Sequence, residues 1–344
     1  MTAGILRTRL ANQHLSRPAA LTPQAIVAWF GAVQGQEYGP ARWAVGQRGA
    51  SLTDAAVARA FEEGKILRAH MLRATWHFVA PADIRWIQKL TGPRVRAASA
   101  SVIKANEIDA RLLARSRKAI ARALEGGAFL TRLELAEALG RARIPARTQR
   151  LAYIVMDAEL EGLICSGPRK GKQFTYALLD ERVPKAKALE RDEALGELAR
   201  RYVRSHGPAT VRDFTWWSGL TVGEARMGID IARLSKRAEH GLEYWSTDAA
   251  VRAPAARASA HLLPIYDEYV NAFRDRGLLI AGLAPHDNFA HYFVVDGRVA
   301  GTWRSGGSGD SADATIETRL SLTDAQTRAV NAAVGRYRAF YRHS

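Results

Sequence analysis

The sequence predicts an α+β chain built from three tandem copies of one helical unit, followed by a small β-rich, barrel-like C-terminal domain. Two observations carry this. The first is a repeated capped helix. Thr131-Arg-Leu-Glu-Leu-Ala-Glu-Ala-Leu-Gly140 has a threonine N-cap, Glu134 three residues on and a glycine stop. Thr210-Val-Arg-Asp-Phe-Thr-Trp-Trp-Ser-Gly219 has the same layout, with Asp213 in the acidic place and Phe214 where the first copy has Leu135. The second is a change of character near His261, where helical spacing gives way to short extended runs.

In chain order, an N-terminal arm leads to a first helix over residues 21–33. Thr22-Pro23 is its cap, and Ile26, Val27, Phe30 and Val33 recur at helical spacing. Gly35 makes further helix costly, so the chain is expected to leave the helix there. Helices over 40–47 and 53–63 follow, then strands over 66–69 and 72–79. In the second unit an amphipathic helix carries Leu112, Ala119, Ile120, Ala123 and Leu124 and stops at Gly126-Gly127. The capped helix at Thr131 comes next, then a helix over about 146–161. Strands at 163–165 and 173–179 are joined by Ser166-Gly-Pro-Arg-Lys-Gly-Lys172. In the third unit, Leu195, Leu198, Ala199, Tyr202 and Val203 form a helix ending near Gly207-Pro208. The second capped helix, another opened by Thr221-Val-Gly-Glu224, and a hairpin within 238–247 complete it. Helices followed by a hairpin give the order of a winged helix, a variant of helix-turn-helix. The expected boundaries are 1–100, 101–187, 188–255 and 256–344.

The last segment reads as extended over 262–266, with strands at 290–295 and 299–303 flanking the hairpin signal Asp296-Gly297. Ser305-Gly-Gly-Ser-Gly-Asp310 reads as a flexible loop, 315–320 as another strand, and 324–341 as a basic closing helix.

The composition is that of a folded protein, but the charge is lopsided. Fifty Lys and Arg against 34 Asp and Glu give +16. Arginine dominates, which favours phosphate-bearing partners, nucleic acid first and an anionic membrane surface second. No apolar run of about 18 residues occurs, so no membrane span is expected. Cys165 is the single cysteine, and the histidines form no ligand pattern; His286 and His291 are close in sequence without acidic or cysteine companions. The reading is a cytoplasmic protein without metal or other cofactor.

Among candidate site residues, Gln34 and Gln36 lie at i and i+2. These point apart on a helix but share a face on an extended segment, where two neutral amides can hold one water or polar ligand. The plainer reading is a solvated helix end. Thr75 and His77 share one face of the predicted strand, with Trp76 and Phe78 on the other. Both could line the same cleft as the glutamines, although a structural histidine is the commoner case. Arg169, Lys170 and Lys172 sit at a predicted wing tip, where they could neutralise phosphates or simply be a solvated turn. Tyr266-Asp267-Glu268-Tyr269 and the stretch from Asn271 to Arg276 read most simply as a salt-bridge network, with a carboxylate general base as the sharper alternative.

Several segments together resemble the AlkZ-like winged-helix DNA glycosylases. These are Val33-Gln-Gly-Gln36, Leu72-Arg-Ala-Thr-Trp-His77, Leu262-Leu-Pro-Ile-Tyr-Asp-Glu-Tyr269, Arg274-Asp-Arg276 and Asp296-Gly-Arg-Val-Ala-Gly-Thr-Trp-Arg304. The resemblance spans nearly the whole chain and keeps the order. It implies three winged helices curved around DNA and a β-barrel-like domain. It also implies monofunctional excision of alkylated purines such as N7-alkylguanine, with interstrand crosslinks unhooked by some members. The family's glutamine–aliphatic–glutamine motif maps onto Gln34 and Gln36 as catalytic residues. Gly35 stands where a bulkier aliphatic residue is usual, so Gly35→Ala is expected to be tolerated or to raise the rate. The partner implied is duplex DNA carrying alkylated bases, bound by a monomer that is nucleoid-associated when on DNA. The competing class is a non-catalytic winged-helix DNA-binding protein or transcription regulator.

Overall fold

The computed structural model describes residues 2–184, 188–239, 241–247, 257–280, 290–307, 309–318 and 320–342. After an N-terminal helix α1 (Thr2–Asn12), the chain runs α2 (Pro23–Phe30), β1 (Ala32–Gln34), α3 (Tyr38–Gly46), α4 (Asp54–Glu62), β2 (Leu67–Met71) and β3 (Thr75–Val79). The three strands form one antiparallel sheet in the order β1-β3-β2. Helix α2 is capped by the Thr22 hydroxyl, but it ends at Phe30 rather than at Val33. Gly31 has φ +84°, which breaks the helix four residues before Gly35 and turns the chain into β1.

A 22-residue helix, α5 (Ile84–Ala105), follows. No element is readable there from sequence, because Asp83 makes no side-chain cap bond and Gly92-Pro93 interrupts the helical pattern. Its buried Ile84, Trp86, Ile87 and Leu90 supply the helix's packing against the rest of the core.

The order of the first set then recurs. α6 (Ala110–Leu124), β4 (Leu130–Thr131), α7 (Arg132–Arg141), α8 (Thr148–Leu160), β5 (Ile164–Ser166) and β6 (Thr175–Leu178) form a second set, with sheet order β4-β6-β5 and a one-turn helix α9 (Leu179–Arg182). α10 (Arg191–His206), α11 (Val211–Ser218), α12 (Val222–Ile231), β7 (Ser235–Glu239) and β8 (Leu242–Ser246) form a third. There a two-bond bridge between Ala209 and Trp245 stands in for the first strand. The capping boxes expected at Thr131/Glu134 and Thr210/Asp213 are both closed reciprocally, as is one at Thr221/Glu224.

The C-terminal segment contains β9 (Ala260–Leu263), α13 (Glu268–Asn271), β10 (Tyr292–Val295), β11 (Arg298–Gly306), a 3₁₀ turn (Gly309–Ser311), β12 (Asp313–Glu317) and α14 (Asp324–Tyr341). Asp296-Gly297 makes the expected β10–β11 turn, with both residues at positive φ. The strands form an antiparallel sheet β12-β11-β10-β9 against which α14 packs. This corrects the barrel-like expectation: among the described residues the sheet is open, with α14 packed against it and β12 largely exposed.

Packing joins segments far apart in sequence. Ile26, Phe30, Val45 and Phe61 share a core with Leu262, Phe293, Trp303, Tyr337 and Phe340. The opposite face of the first sheet (Leu67, Ala69, Met71, Val79) buries against α5, α10 and α11. The second set keeps a core of its own, tied to the first by Arg68 N–H donating to Ser166 Oγ (2.8 Å) and by a short contact of His70 with Glu159. Among the described residues no helix is long and apolar enough to cross a membrane.

Candidate functional site

The site begins with strand register. Gln34 lies opposite His77, and Gly35 N–H donates to Trp76 carbonyl (2.8 Å). The Gly35–Trp76 pair is therefore the hydrogen-bonded one, and Gln34–His77 is a non-hydrogen-bonded pair whose side chains lie closest. In such a pair the backbone N–H of Gln34 points away from β3. It donates to Glu268 Oε1 at 2.7 Å.

Gln34 is 9% exposed; its Nε2 donates to Thr75 Oγ1 (3.4 Å), and its Oε1 accepts no bond among the described residues. Gln36 is placed differently. Its Oε1 accepts the Trp76 backbone N–H at 3.4 Å and its carbonyl accepts from Arg68 Nη2 (3.2 Å), while Arg68 Nε donates to Gly35 carbonyl (2.7 Å). The strand ends between the two glutamines, so alternation no longer brings both amides to one face. Gly35 itself is closely packed: a Cβ there would lie 3.1 Å from Phe78 N and 3.2 Å from His77 C. An alanine there would press on backbone of a paired strand, which argues against the expectation that it is tolerated.

Gln34 and Thr75 open onto a pocket of about 420 Å³, also lined by Arg73, Trp216, Tyr266, Asn271, Arg274 and Arg276. The first and third sets meet here. Gly219, at the end of α11, sits so close to the β2–β3 turn that a Cβ would be 2.3 Å from Leu72 carbonyl. This contact brings Arg73 beside Trp216. The Arg73 and Arg274 guanidinium carbons lie 5.4 and 5.2 Å from the centre of the Trp216 ring. Trp216 Nε1 donates to Asn271 carbonyl (3.0 Å), and Arg276 donates to Asn271 Oδ1 (3.2 Å). Burial lowers the pKa of Arg73 and of Arg276 from the ordinary arginine value, yet both stay cationic at neutral pH. The pocket thus combines three cations, two aromatic residues (Trp216 and Tyr266), two amides (Gln34 and Asn271) and the Thr75 hydroxyl, and its lining among the described residues contains no carboxylate.

Behind the pocket, Glu268 is fully buried and accepts from three donors: Gln34 N–H, His206 Nε2 (3.3 Å) and Trp217 Nε1 (2.9 Å). Burial would raise its carboxyl, but the hydrogen bonds from His206 and from the Gln34 backbone N–H hold it below the usual range. Its neighbour Asp267 takes both Arg48 guanidinium nitrogens, at 2.7 and 2.9 Å. The salt-bridge reading of this segment therefore fits Asp267, whereas Glu268 is held by hydrogen bonds, and neither carboxylate lines the pocket.

His77 has no exposed surface, which corrects its expected contact with DNA. Its Nδ1 donates to Thr75 carbonyl (3.0 Å), and burial, aided by the Arg73 charge, pushes its pKa down to about 4. It is a neutral residue packed behind Gln34. At the β5–β6 tip, Lys170 and Lys172 are exposed, and Lys170 pairs with Glu134 (2.6 Å). Arg169 is half-buried, with its guanidinium 5.0 Å from the Tyr38 ring and its backbone N–H on Glu62 (2.6 Å).

Sequence reading did not pick out Arg73 or Trp216 as site residues and assigned Arg274 and Arg276 only to a network. The one available signal was the Trp216-Trp217 pair inside the second capped helix, since the core needs only one of them. Among the described residues no group of three His, Cys, Asp or Glu is arranged for a metal; His286 lies outside the described residues.

Compared with known proteins, the chain matches the model of the family described as DNA glycosylase AlkZ-like over residues 27–340. Its structure is similar to that of Streptomyces sahachiroi DNA glycosylase AlkZ. The TM-score is 0.81 at 19% identity, covering 99% of this chain and 97% of that one, which is a likeness of fold. No curated protein matches significantly.

Proposed function

We propose, since this chain belongs to the AlkZ-like DNA glycosylase family and is a DNA repair glycosylase, that its substrates are alkylated purines of the N7-alkylguanine class in duplex DNA. The observation that carries this is the pocket itself: two amides, three arginines and two aromatic residues, with no carboxylate among its described lining residues to protonate a leaving base. A purine alkylated at N7 is already cationic. Its glycosidic bond is weakened and it departs as a neutral base, so a proton donor is unnecessary.

In this reading Gln34 Oε1 accepts a hydrogen bond from the attacking water and aims it at the anomeric carbon, while its dipole favours the oxocarbenium-like state. Thr75 holds the opposite end of the amide and Glu268 holds the backbone beneath it. Gln36 joins the machinery by fixing the strand end through Trp76, and its 3.4 Å bond is long enough to be exchanged for water when DNA binds. Arg73, Arg274 and Arg276 take the phosphates flanking the lesion. Water is the only nucleophile, so no covalent DNA intermediate forms. An open pocket without a tight base cavity also suits bulky lesions, interstrand crosslinks among them.

The same reading takes the three recurrent sets as winged helices, within 1–100, 101–187 and 188–255, and 256–344 as the C-terminal domain, acting as a monomer in the cytoplasm without cofactor. Incubation with duplex containing N7-methylguanine tests it. Abasic sites that break only on alkali treatment are expected; absence of base release would move the substrate class elsewhere.

A further inference from the structure

A second strongly basic feature lies apart from the pocket. Helix α6 carries five cations and no acid between residues 110 and 124. Arg117 faces α8, where it pairs with Asp157 (2.9 Å) and Glu161 (3.5 Å). Arg111, Arg115, Lys118 and Arg122 follow at i, i+4, i+7 and i+11, a single exposed stripe. Against α7 this stripe borders a groove of about 460 Å³ that Arg141 closes from the other side, over a floor of alanines such as Ala119 and Ala138. Among the described residues none of Arg115, Lys118, Arg122 and Arg141 is ion-paired; Arg115 makes only long contacts to the carbonyls of Ala142 (3.3 Å) and Arg143 (3.4 Å). Surface cations of α10 are treated differently: Arg191 pairs with Glu224, Arg200 with Glu197, and Arg201 with Asp83 and Glu197.

We propose that the α6–α7 groove is a second DNA-binding surface, which takes the phosphate backbone of duplex DNA independently of the pocket that holds Gln34. Like charges a turn apart on one helix repel, so an unscreened stripe is maintained against its own electrostatics and is relieved by a polyanion. The geometry suits one. Eleven residues of helix span roughly 16 Å at 1.5 Å each, and one B-form strand presents a phosphate per about 3.4 Å of axis, or roughly five phosphates over that length. The alanine floor lets the sugar–phosphate chain approach closely. The second set packs on the first through α8 and β5, and neither α6 nor α7 lines the pocket. A track there holds the protein on DNA while the pocket is empty.

The test uses the full chain, an undamaged duplex and a salt series. The quadruple variant R115Q/K118Q/R122Q/R141Q should flatten the dependence of log affinity on log salt by about 0.9 per lost contact, roughly three to four in all. The charge-preserving variant R115K/R122K/R141K should keep the wild-type slope. Single-turnover base release at saturating enzyme should be unchanged in both, which separates this surface from the glutamine reading: binding to undamaged duplex is read without any excision. A wild-type slope in the quadruple variant, or a slope lost in the lysine variant, overturns the proposal. Arg122→Glu alone, which leaves the packed faces untouched, gives the same decision if the quadruple variant does not fold: a slope shallower by one or more supports it, and an unchanged slope overturns it.

Discussion

At the residue scale, the pocket depends on one glutamine held through its side-chain Nε2 by Thr75 and through its backbone N–H by Glu268. Gln34→Ala should slow release of N7-methylguanine by about ten- to a thousandfold, the range for an oriented polar group acting mainly in the transition state, with duplex affinity and Tm nearly unchanged. Gln36→Ala should lose less and should also loosen the strand end, because its oxygen serves the Trp76 N–H. Equal rates in wild type and both variants would remove the glutamines from catalysis. Gly35→Ala sharpens the point. With backbone atoms 3.1 to 3.2 Å from the new Cβ, it should destabilise by about 1–3 kcal/mol and slow release, since the strain falls between the two glutamines. Tm and single-turnover rate check both halves. Glu268 differs again: Glu268→Ala strands three buried donors and should cost about 3 kcal/mol or more.

At the element scale, what was legible in the sequence was what is local. Capping boxes at Thr131 and Thr210, the Asp296-Gly297 turn and the closing helix from Asp324 to Tyr341 involve neighbours within a few residues, and all stand where expected. Thr131→Ala should accordingly lower stability by about 0.5–2 kcal/mol in thermal or urea melts, the ordinary cost of an N-cap. What was not legible is contact between distant segments. Arg73 becomes a pocket residue only because Gly219 meets Leu72, and the partner of the Gln34 amide is 234 positions away. The long helix α5 escaped for a different reason, since Gly92-Pro93 breaks its pattern while tertiary packing sustains it. The β5–β6 tip shows both effects. Lys170→Ala and Lys172→Ala should each flatten the salt dependence of DNA binding by about one, whereas Arg169→Ala should also lower Tm because its guanidinium packs on Tyr38. An unchanged slope removes the tip from the interface.

At the scale of the whole molecule, buried histidines set the acid limit. His77 and His14 are pushed down to about 4 and His261 to about 3, in each case first by burial and then by nearby arginines. In the unfolded chain they bind protons near pH 6.5, so between about 6.5 and 4 the unfolded state holds more protons and stability falls as pH falls. The slope approaches about 1.4 kcal/mol per pH unit for each histidine. Asp54 and Asp157, raised by burial, oppose this near the carboxylate range, while the depressed Glu268 adds to the loss below it. Tm should therefore drop steadily from pH 6.5 to 4, and a flat profile would contradict the burial of these rings. The clasp between Gln34 and Glu268 also has a meaning in time. A ribosome making about 5–20 residues per second releases the glutamine segment at least ten seconds before the carboxylate that steadies it. The nascent chain thus carries β1 early and the carboxylate that clasps it late. Until Glu268 is made, the outward-pointing N–H of Gln34 lacks the acceptor that holds it in the folded chain.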